Sequence, residues 1–216
     1  MNFTRLKEQT ALYLDDPHQT RHLDAELAKL INAGLQDVKR AMEDGNPSYF
    51  NSSTTFSVTS ATDVFEATLP ADFSVVTHVE NTSNSPPTAM EPESFKERHP
   101  VYDKRFLPNG VQTVDLWYIR GNKFGVVAPS TSFTAKMYYT QSLPEVTKTD
   151  ESSLQLIPTD YHDLIALNAA KRGYAIEQMR FPISLDEIRE EQITQLRAYV
   201  TDRQKAYTNY VNPPYE

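Results

Sequence analysis

The chain has 216 residues, with 21 lysines and arginines against 29 aspartates and glutamates, and a formal net charge of −8. This acidic balance argues against a protein that binds nucleic-acid phosphates or an anionic membrane, because both need a basic surface. The absence of cysteine excludes disulfides, thiolate nucleophiles and cysteine-ligated zinc. The start of the chain has no signal-like apolar segment, and no run approaches the roughly 20 apolar residues of a membrane span.

Residues 1–47 are predicted to form two helices. The first covers residues 3–14 and ends before Pro17, which cannot continue a helix. Thr20 is the expected N-cap of the second, longer helix. Apolar residues then recur at three- and four-residue steps as far as Met42, which predicts one buried stripe that includes Leu30.

Residues 48–156 alternate between apolar and polar side chains, which predicts strands. We expect one small antiparallel sheet of five or six strands, with Gly121-Asn122 as a hairpin turn. Between residues 81 and 110 five prolines predict mostly loop, with one turn of helix at 93–98. The predicted strands cover residues 55–59, 64–69, 73–79, 116–119, 123–127 and 132–139.

The third block holds two predicted helices. Thr159 is the expected N-cap of the first, whose buried side is predicted to include Tyr161, Ile176 and Met179. The small residues Asn168, Ala169 and Ala170 should allow close helix packing.

The second of these helices should begin after Ser184, which together with Glu187 matches a capping box. Its apolar stripe is predicted to bury Ile188, Leu196 and Tyr199. Residues 208–216 contain two adjacent prolines and are predicted to be extended.

Helices from both ends of the chain therefore enclose a β-rich segment. The predicted class is α+β. Residues 1–47 and 157–207 form a helical bundle, residues 48–156 form an inserted small antiparallel β module, and residues 208–216 form an extended C-terminal tail.

The sequence contains no motif that predicts catalysis. His18 and His22 have the i, i+4 spacing of metal ligands, but Pro17 and the expected cap at Thr20 place His18 before the helix. Pairs of acidic residues such as Asp186-Glu187 fall at predicted helix starts, where the helix dipole explains them. Phosphate loops, dinucleotide fingerprints and nucleophile elbows are missing. We therefore expect a protein that is not an enzyme and uses no metal or cofactor.

The order of several short segments resembles the head–tail adaptor (connector) proteins of tailed bacteriophages, particularly the adaptor of short-tailed phages with elongated heads. The resemblance covers roughly residues 20–180. It depends on the order of these segments: Leu30-Ile31-Asn32-Ala33-Gly34-Leu35, Leu69-Pro70-Ala71-Asp72-Phe73, Trp117-Tyr118-Ile119-Arg120-Gly121-Asn122, Ala128-Pro129-Ser130, Ala135-Lys136-Met137-Tyr138-Tyr139, Leu143-Pro144, Leu156-Ile157-Pro158 and Tyr161-His162-Asp163-Leu164.

The resemblance implies a structural virion protein of the neck or tail region, made in the host cytoplasm. Such adaptors form a homo-oligomeric ring, dodecameric in this family, below the portal protein. The ring extends the DNA channel and provides the docking platform for tail or nozzle proteins. DNA passes through the channel without sequence-specific binding, and no membrane is involved.

The C-terminal segment of related adaptors reaches along the portal, and the matching segment here is residues 206–216. The resemblance therefore implies these portal-binding residues: Tyr207, Tyr210, Val211, Pro213, Pro214 and Tyr215. An acidic channel wall would also repel the DNA backbone, with Asp186, Glu187, Glu190 and Glu191 as candidates. A net charge of −8 is equally explained by solubility alone.

Two other functions remain open from the sequence. A tail-associated carbohydrate- or receptor-binding module could use the aromatic side chains of Trp117, Tyr118, Tyr138 and Tyr139 as stacking surfaces. A cell-wall hydrolase would need a glutamate with a raised pKa in a cleft, and the sequence singles out none.

Overall fold

The structure is a computed structural model of the chain, and it describes residues 1–60, 64–92, 116–127, 129 and 131–211, with side chains as far as residue 203. The chain divides into two compact units. The helical unit comprises Met1–Phe50 and Leu143–Glu216, and the β unit comprises Asn51–Ser142. The described residues form five α-helices and eight strands, which confirms the predicted α+β class.

Five α-helices and one short 3-10 helix build the helical unit. They are α1 (Phe3–Tyr13), α2 (Asp24–Gly45), α3 (Ser152–Gln155), the 3-10 helix (Thr159–Tyr161), α4 (His162–Ile176) and α5 (Ile183–Val211).

The helical unit has a core of its own, in which α2 and α4 pack closely. A Cβ atom added to Gly34 would lie 2.5 Å from the carbonyl oxygen of Ile165 and 2.9 Å from the backbone nitrogen of Ala169. This confirms that small residues allow close packing here. Leu30 and Leu196 are 6% and 0% exposed, so their predicted burial is also confirmed.

The described residues of the β unit form two four-stranded sheets, so the predicted single sheet is wrong. One sheet has the order β1 (Asn51–Val58), β8 (Phe133–Gln141), β3 (Phe73–Asn81), β4 (Thr88–Ala89). The other has the order β2 (Val64–Thr68), β7 (Lys123–Val127), β6 (Leu116–Arg120), β5 (Glu91–Pro92). The β5–β6 pair is parallel and the other pairs are antiparallel.

Aromatic packing joins the residues of the two sheets in one core. The rings of Phe56 on β1 and Phe124 on β7 stack with centroids 4.6 Å apart. The hairpin between β6 and β7 is confirmed, because Arg120 pairs with Lys123 and Gly121 has a φ of +60°. A positive φ favours glycine, which lacks the Cβ that would clash. The predicted helical turn at 93–98 lies outside the described residues.

Three predicted N-caps are wrong. The cap of α2 is Leu23, whose N–H donates to the Glu26 carboxylate at 3.2 Å, whereas the Thr20 hydroxyl and N–H both bind Asp16. Pro158 precedes a 3-10 turn that begins at Thr159 itself. Ser184 is the second residue of α5, since that helix already begins at Ile183.

Several apolar residues predicted to be buried are exposed. Ile176 is 71% exposed and Met179 44%, because α4 ends at Ile176 and the chain leaves the core there. On α5, Ile188 is 46% and Tyr199 37% exposed, while Ile193, Leu196 and Val200 form the buried stripe. Tyr161 is half-buried.

The position at which the chain returns from the β unit to the helical unit differs from the predicted boundary. Leu143, Val146 and Leu154 were assigned to the β module, yet they pack into the helical core. Thr208 was expected to begin an extended tail, whereas α5 continues to Val211. Residues 212–216 lie outside the described residues.

Candidate assembly surface of the helical unit

A buried carboxylate organises the loop between α1 and α2. Asp16 accepts backbone N–H groups from Thr20, Arg21 and His22, each at 2.9 Å, and the Thr20 hydroxyl at 2.8 Å. Desolvation pushes the Asp16 pKa upward, but these four donors outweigh it and hold the pKa far below its usual range. The carboxylate is therefore committed to the loop backbone.

The sequence suggested one histidine pair, and the structure separates its members. His22 is buried and its Nε2 lies 3.1 Å from a carboxylate oxygen of Glu177, while His18 is exposed in the preceding turn. Over residues 1–60, 64–92, 116–127 and 131–203, no group of three or more histidine, aspartate or glutamate side chains is placed to hold a metal ion.

Charged side chains connect α5 and α2 to α4. Lys171 Nζ donates to Asp186 at 2.6 Å, and Arg189 Nε donates to the Asn168 amide oxygen at 2.6 Å. Arg172 binds Asp37 through two hydrogen bonds of 2.7 Å. The hydrogen bond from Lys171, together with its charge, lowers the pKa of Asp186 despite partial desolvation. These paired groups hold the helices together.

The four carboxylates considered for a channel wall are in different surroundings. Asp186 binds Lys171, and Glu190 binds Arg189. Glu191 accepts a hydrogen bond of 3.0 Å from Gln195 on its own helix. Glu187 is exposed and forms no hydrogen bond or ion pair with another described residue. Two of the four, Glu187 and Glu191, therefore present their charge to solvent.

The predicted portal-binding residues fall at the C-terminal end of α5. The backbone of Tyr207, Tyr210 and Val211 belongs to the last helical turns of α5. Pro213, Pro214 and Tyr215 lie outside the described residues. Among the residues whose side chains are described, the last buried one of α5 is Val200, and Thr201 and Arg203 still donate hydrogen bonds to Gly45 and Tyr49.

The aromatic residues considered for carbohydrate stacking are occupied within the β unit. Tyr118 is 5% exposed and its hydroxyl donates to Glu66 at 2.7 Å, and Tyr139 is 4% exposed and donates to Asp72 at 3.0 Å. The Trp117 indole N–H donates to the Met90 carbonyl at 3.2 Å. The Tyr138 hydroxyl donates to Glu80 at 2.9 Å. Tyr118 and Tyr139 are therefore buried in the β unit, whereas Trp117 and Tyr138 are half-buried.

An open groove lies between α2 and α4. It has a volume of about 790 Å³, with Leu30, Ala33 and Ile176 among its apolar lining and Arg21 and Lys29 among its charged lining. Sequence analysis missed this surface, because it counted Ile176 as buried.

The described part of the chain has no helix both long and apolar enough to cross a membrane.

The helical unit thus presents an open groove and helices that are joined by ion pairs. A family model described as SU10 adaptor protein matches residues 1–213. The chain belongs to this family, and it is a bacteriophage head–tail adaptor of the virion neck. The predicted adaptor resemblance is thus confirmed, whereas its short-tailed, elongated-head detail stays a prediction. No curated protein matches the chain.

Proposed function

We propose that the protein assembles as a dodecameric ring below the phage portal, extends the DNA channel and provides the docking platform for tail or nozzle proteins. The observation that carries this proposal is the match of the adaptor family to residues 1–213, which includes all five helices and both sheets. The proposed role is structural and non-enzymatic.

The charge of α5 supports a channel through which DNA slides. Glu187 is an exposed carboxylate near the start of α5, so every copy in a ring would present this charge. No exposed cation neutralises Glu187 among the described residues. A wall of repeated carboxylates would repel DNA phosphates and prevent the genome from sticking to the channel.

The end of α5 is the proposed portal-binding segment. The helix has 29 residues and is therefore about 43 Å long. Its described contacts with the helical unit extend to Arg203, whose guanidinium donates to the Tyr49 hydroxyl at 3.4 Å, and the helix continues to Val211. Three tyrosines, Tyr207, Tyr210 and Tyr215, supply the aromatic anchors that are enriched at protein interfaces.

One experiment tests the ring and the portal-binding segment together. The full chain and a variant truncated after Tyr207 are mixed with portal rings of the same phage and imaged by electron microscopy. We expect the full chain to form a second ring coaxial with the portal. The truncated chain removes two tyrosines and should bind at least about tenfold more weakly, since 1.4 kcal/mol is a factor of ten.

The controls separate folding from binding. Both chains should have the same far-UV circular dichroism per helical residue, because the truncation leaves the core intact. Portal rings that stay bare at micromolar concentrations of the full chain would refute the proposed ring. Equal loading of the truncated and full chains would refute the role of the C-terminal segment alone.

A further inference from the structure

Two helix ridges in the helical unit carry opposite charge. On α2, four residues recur at steps of four, three and four, so they lie above one another on the side of the helix away from its buried stripe. On α5, four residues recur at the same steps. The basic ridge comprises Lys29, Ala33, Gln36 and Arg40, and the acidic ridge comprises Glu191, Gln195, Ala198 and Asp202. On the basic ridge the two charged ends are exposed, whereas Ala33 and Gln36 between them are half-buried and Gln36 donates to the Leu143 carbonyl at 3.3 Å.

The charges of the basic ridge point to solvent. Lys29 is exposed and has no hydrogen bond or ion pair with another described residue. The Arg40 side chain is 74% exposed, and its nearest carboxylate is that of Asp37 on the same helix, at 3.7 Å. Both cations therefore remain able to bind an external anion.

The acidic ridge is exposed along its whole length. Glu191, Gln195, Ala198 and Asp202 all lie on the solvent side of α5, opposite the buried stripe that ends at Val200. The carboxylate of Glu191 accepts only a hydrogen bond from Gln195 of the same ridge among the described residues.

The two ridges match each other residue by residue when their helices run antiparallel. Lys29 then faces Asp202, and Arg40 faces Glu191. Both charged pairs fit at once, because eleven residues, or about 16 Å of helix, separate the members of each ridge. Between them, Ala33 faces Ala198, whose small side chains allow two helices to approach closely.

We propose that the basic ridge of one copy binds antiparallel to the acidic ridge of the next copy in the ring. This inference rests on the proposed ring function and names the surfaces that build it. Because the two ridges are different surfaces, the contact is head-to-tail and leaves one ridge of each kind available for the next subunit. Such a contact repeats until the ring closes. Opposite charges also guide the copies into register.

Disulfide cross-linking tests the contact directly, because the chain contains no cysteine. The variant Ala33→Cys/Ala198→Cys is assembled on portal rings and oxidised. We expect a ladder of covalent multimers on a non-reducing gel. Each single-cysteine variant should stay monomeric, since a head-to-tail contact brings residue 33 only to residue 198 of a neighbour.

A matched control moves one cysteine along the same helix. Ala25 lies eight residues before Ala33, about 12 Å away, so Ala25→Cys/Ala198→Cys should not cross-link in the antiparallel register. Rings without cross-links between residues 33 and 198 would overturn this interface while leaving the proposed function in place. A ladder equally strong from the Ala25 control would overturn the register.

Charge reversal provides an independent test. Lys29→Glu/Arg40→Glu and Glu191→Lys/Asp202→Lys should each reduce the fraction of portals that carry a second ring by about tenfold. The quadruple variant has the wild-type net charge and should restore assembly. Double variants that assemble as well as the wild type would overturn the interface. A quadruple variant that folds but fails to assemble would also overturn it. Failure of the wild-type chain to form a ring would overturn both this interface and the proposed function.

Discussion

Asp16 stabilises a loop that has almost no apolar side chains of its own. Its carboxylate satisfies three consecutive backbone N–H groups, from Thr20 to His22, directly before α2. Backbone N–H groups without an acceptor are costly, so this single side chain stabilises the loop, while Leu23 caps α2 itself. The carboxylate must be ionised to accept all of its four hydrogen bonds.

We predict that Asp16→Asn is less stable than the wild type at pH 7 and loses less stability in acid. The folded pKa of Asp16 lies well below its unfolded value of about 3.9, so its contribution is complete above that value and is lost progressively as the pH falls from there towards the folded pKa. Urea unfolding between pH 2.5 and 7 measures both effects.

Asp15→Asn is the matched control, because Asp15 is the exposed neighbour of the buried carboxylate. Its unfolding midpoints should follow those of the wild type across the whole pH range. If Asp16→Asn lost stability towards low pH as steeply as the wild type, this carboxylate would not stabilise the loop.

At the scale of the elements, periodicity predicted the helices and most strands, but it did not predict their ends. The α2 stripe was recognisable because eight buried residues recur at helical steps between Leu27 and Met42. The cap at Thr20 was not predictable, since Asp16, a more distant acceptor, takes the Thr20 hydroxyl. Alternation also predicts strands without saying which strand pairs with which, and so two sheets were taken as one.

The two ridges were hidden from the sequence for a related reason. Ile188 and Tyr199 fit a helical apolar stripe, but the buried residues in the described part of α5 are Ile193, Leu196 and Val200. Which side of a helix stays free depends on the helices packed against it. The acidic ridge therefore becomes visible only once the packing of α5 is known.

The close crossing of α2 and α4 depends on Gly34. We predict that Gly34→Ala lowers the free energy of unfolding by about 1–2 kcal/mol net, because the new methyl group would overlap backbone atoms of Ile165 and Ala169 and such overpacking costs up to about 3 kcal/mol. This cost outweighs the gain of about 1 kcal/mol that alanine gives in a helix. Chemical denaturation followed by circular dichroism measures the change.

Ala25→Gly on the exposed side of α2 provides the comparison. It changes only helix propensity and should cost less than about 1 kcal/mol, because Ala25 lies in the first turn of α2. If Gly34→Ala proved neutral or stabilising, the close approach of the two helices would be wrong.

At the scale of the whole molecule, the chain forms the β unit as an insertion into the helical unit. The buried core of the helical unit contains residues only from 1–50 and 143–200, and that of the β unit only residues from 51–142. The insertion also begins and ends at neighbouring positions, because Asn51 pairs with Thr140 across β1 and β8. Paired strand residues have Cα atoms about 5 Å apart.

We predict that the helical unit folds without the insertion. Replacing residues 51–142 by about four glycine and serine residues should give a monomeric, helical protein with cooperative urea unfolding, since a short linker spans the gap and the core is complete. Leu196, fully buried in that core, supplies the internal control. Leu196→Ala should cost about 2–5 kcal/mol in both the full chain and the shortened one. An unfolded or molten shortened chain would mean that the helical unit depends on the β unit for its stability.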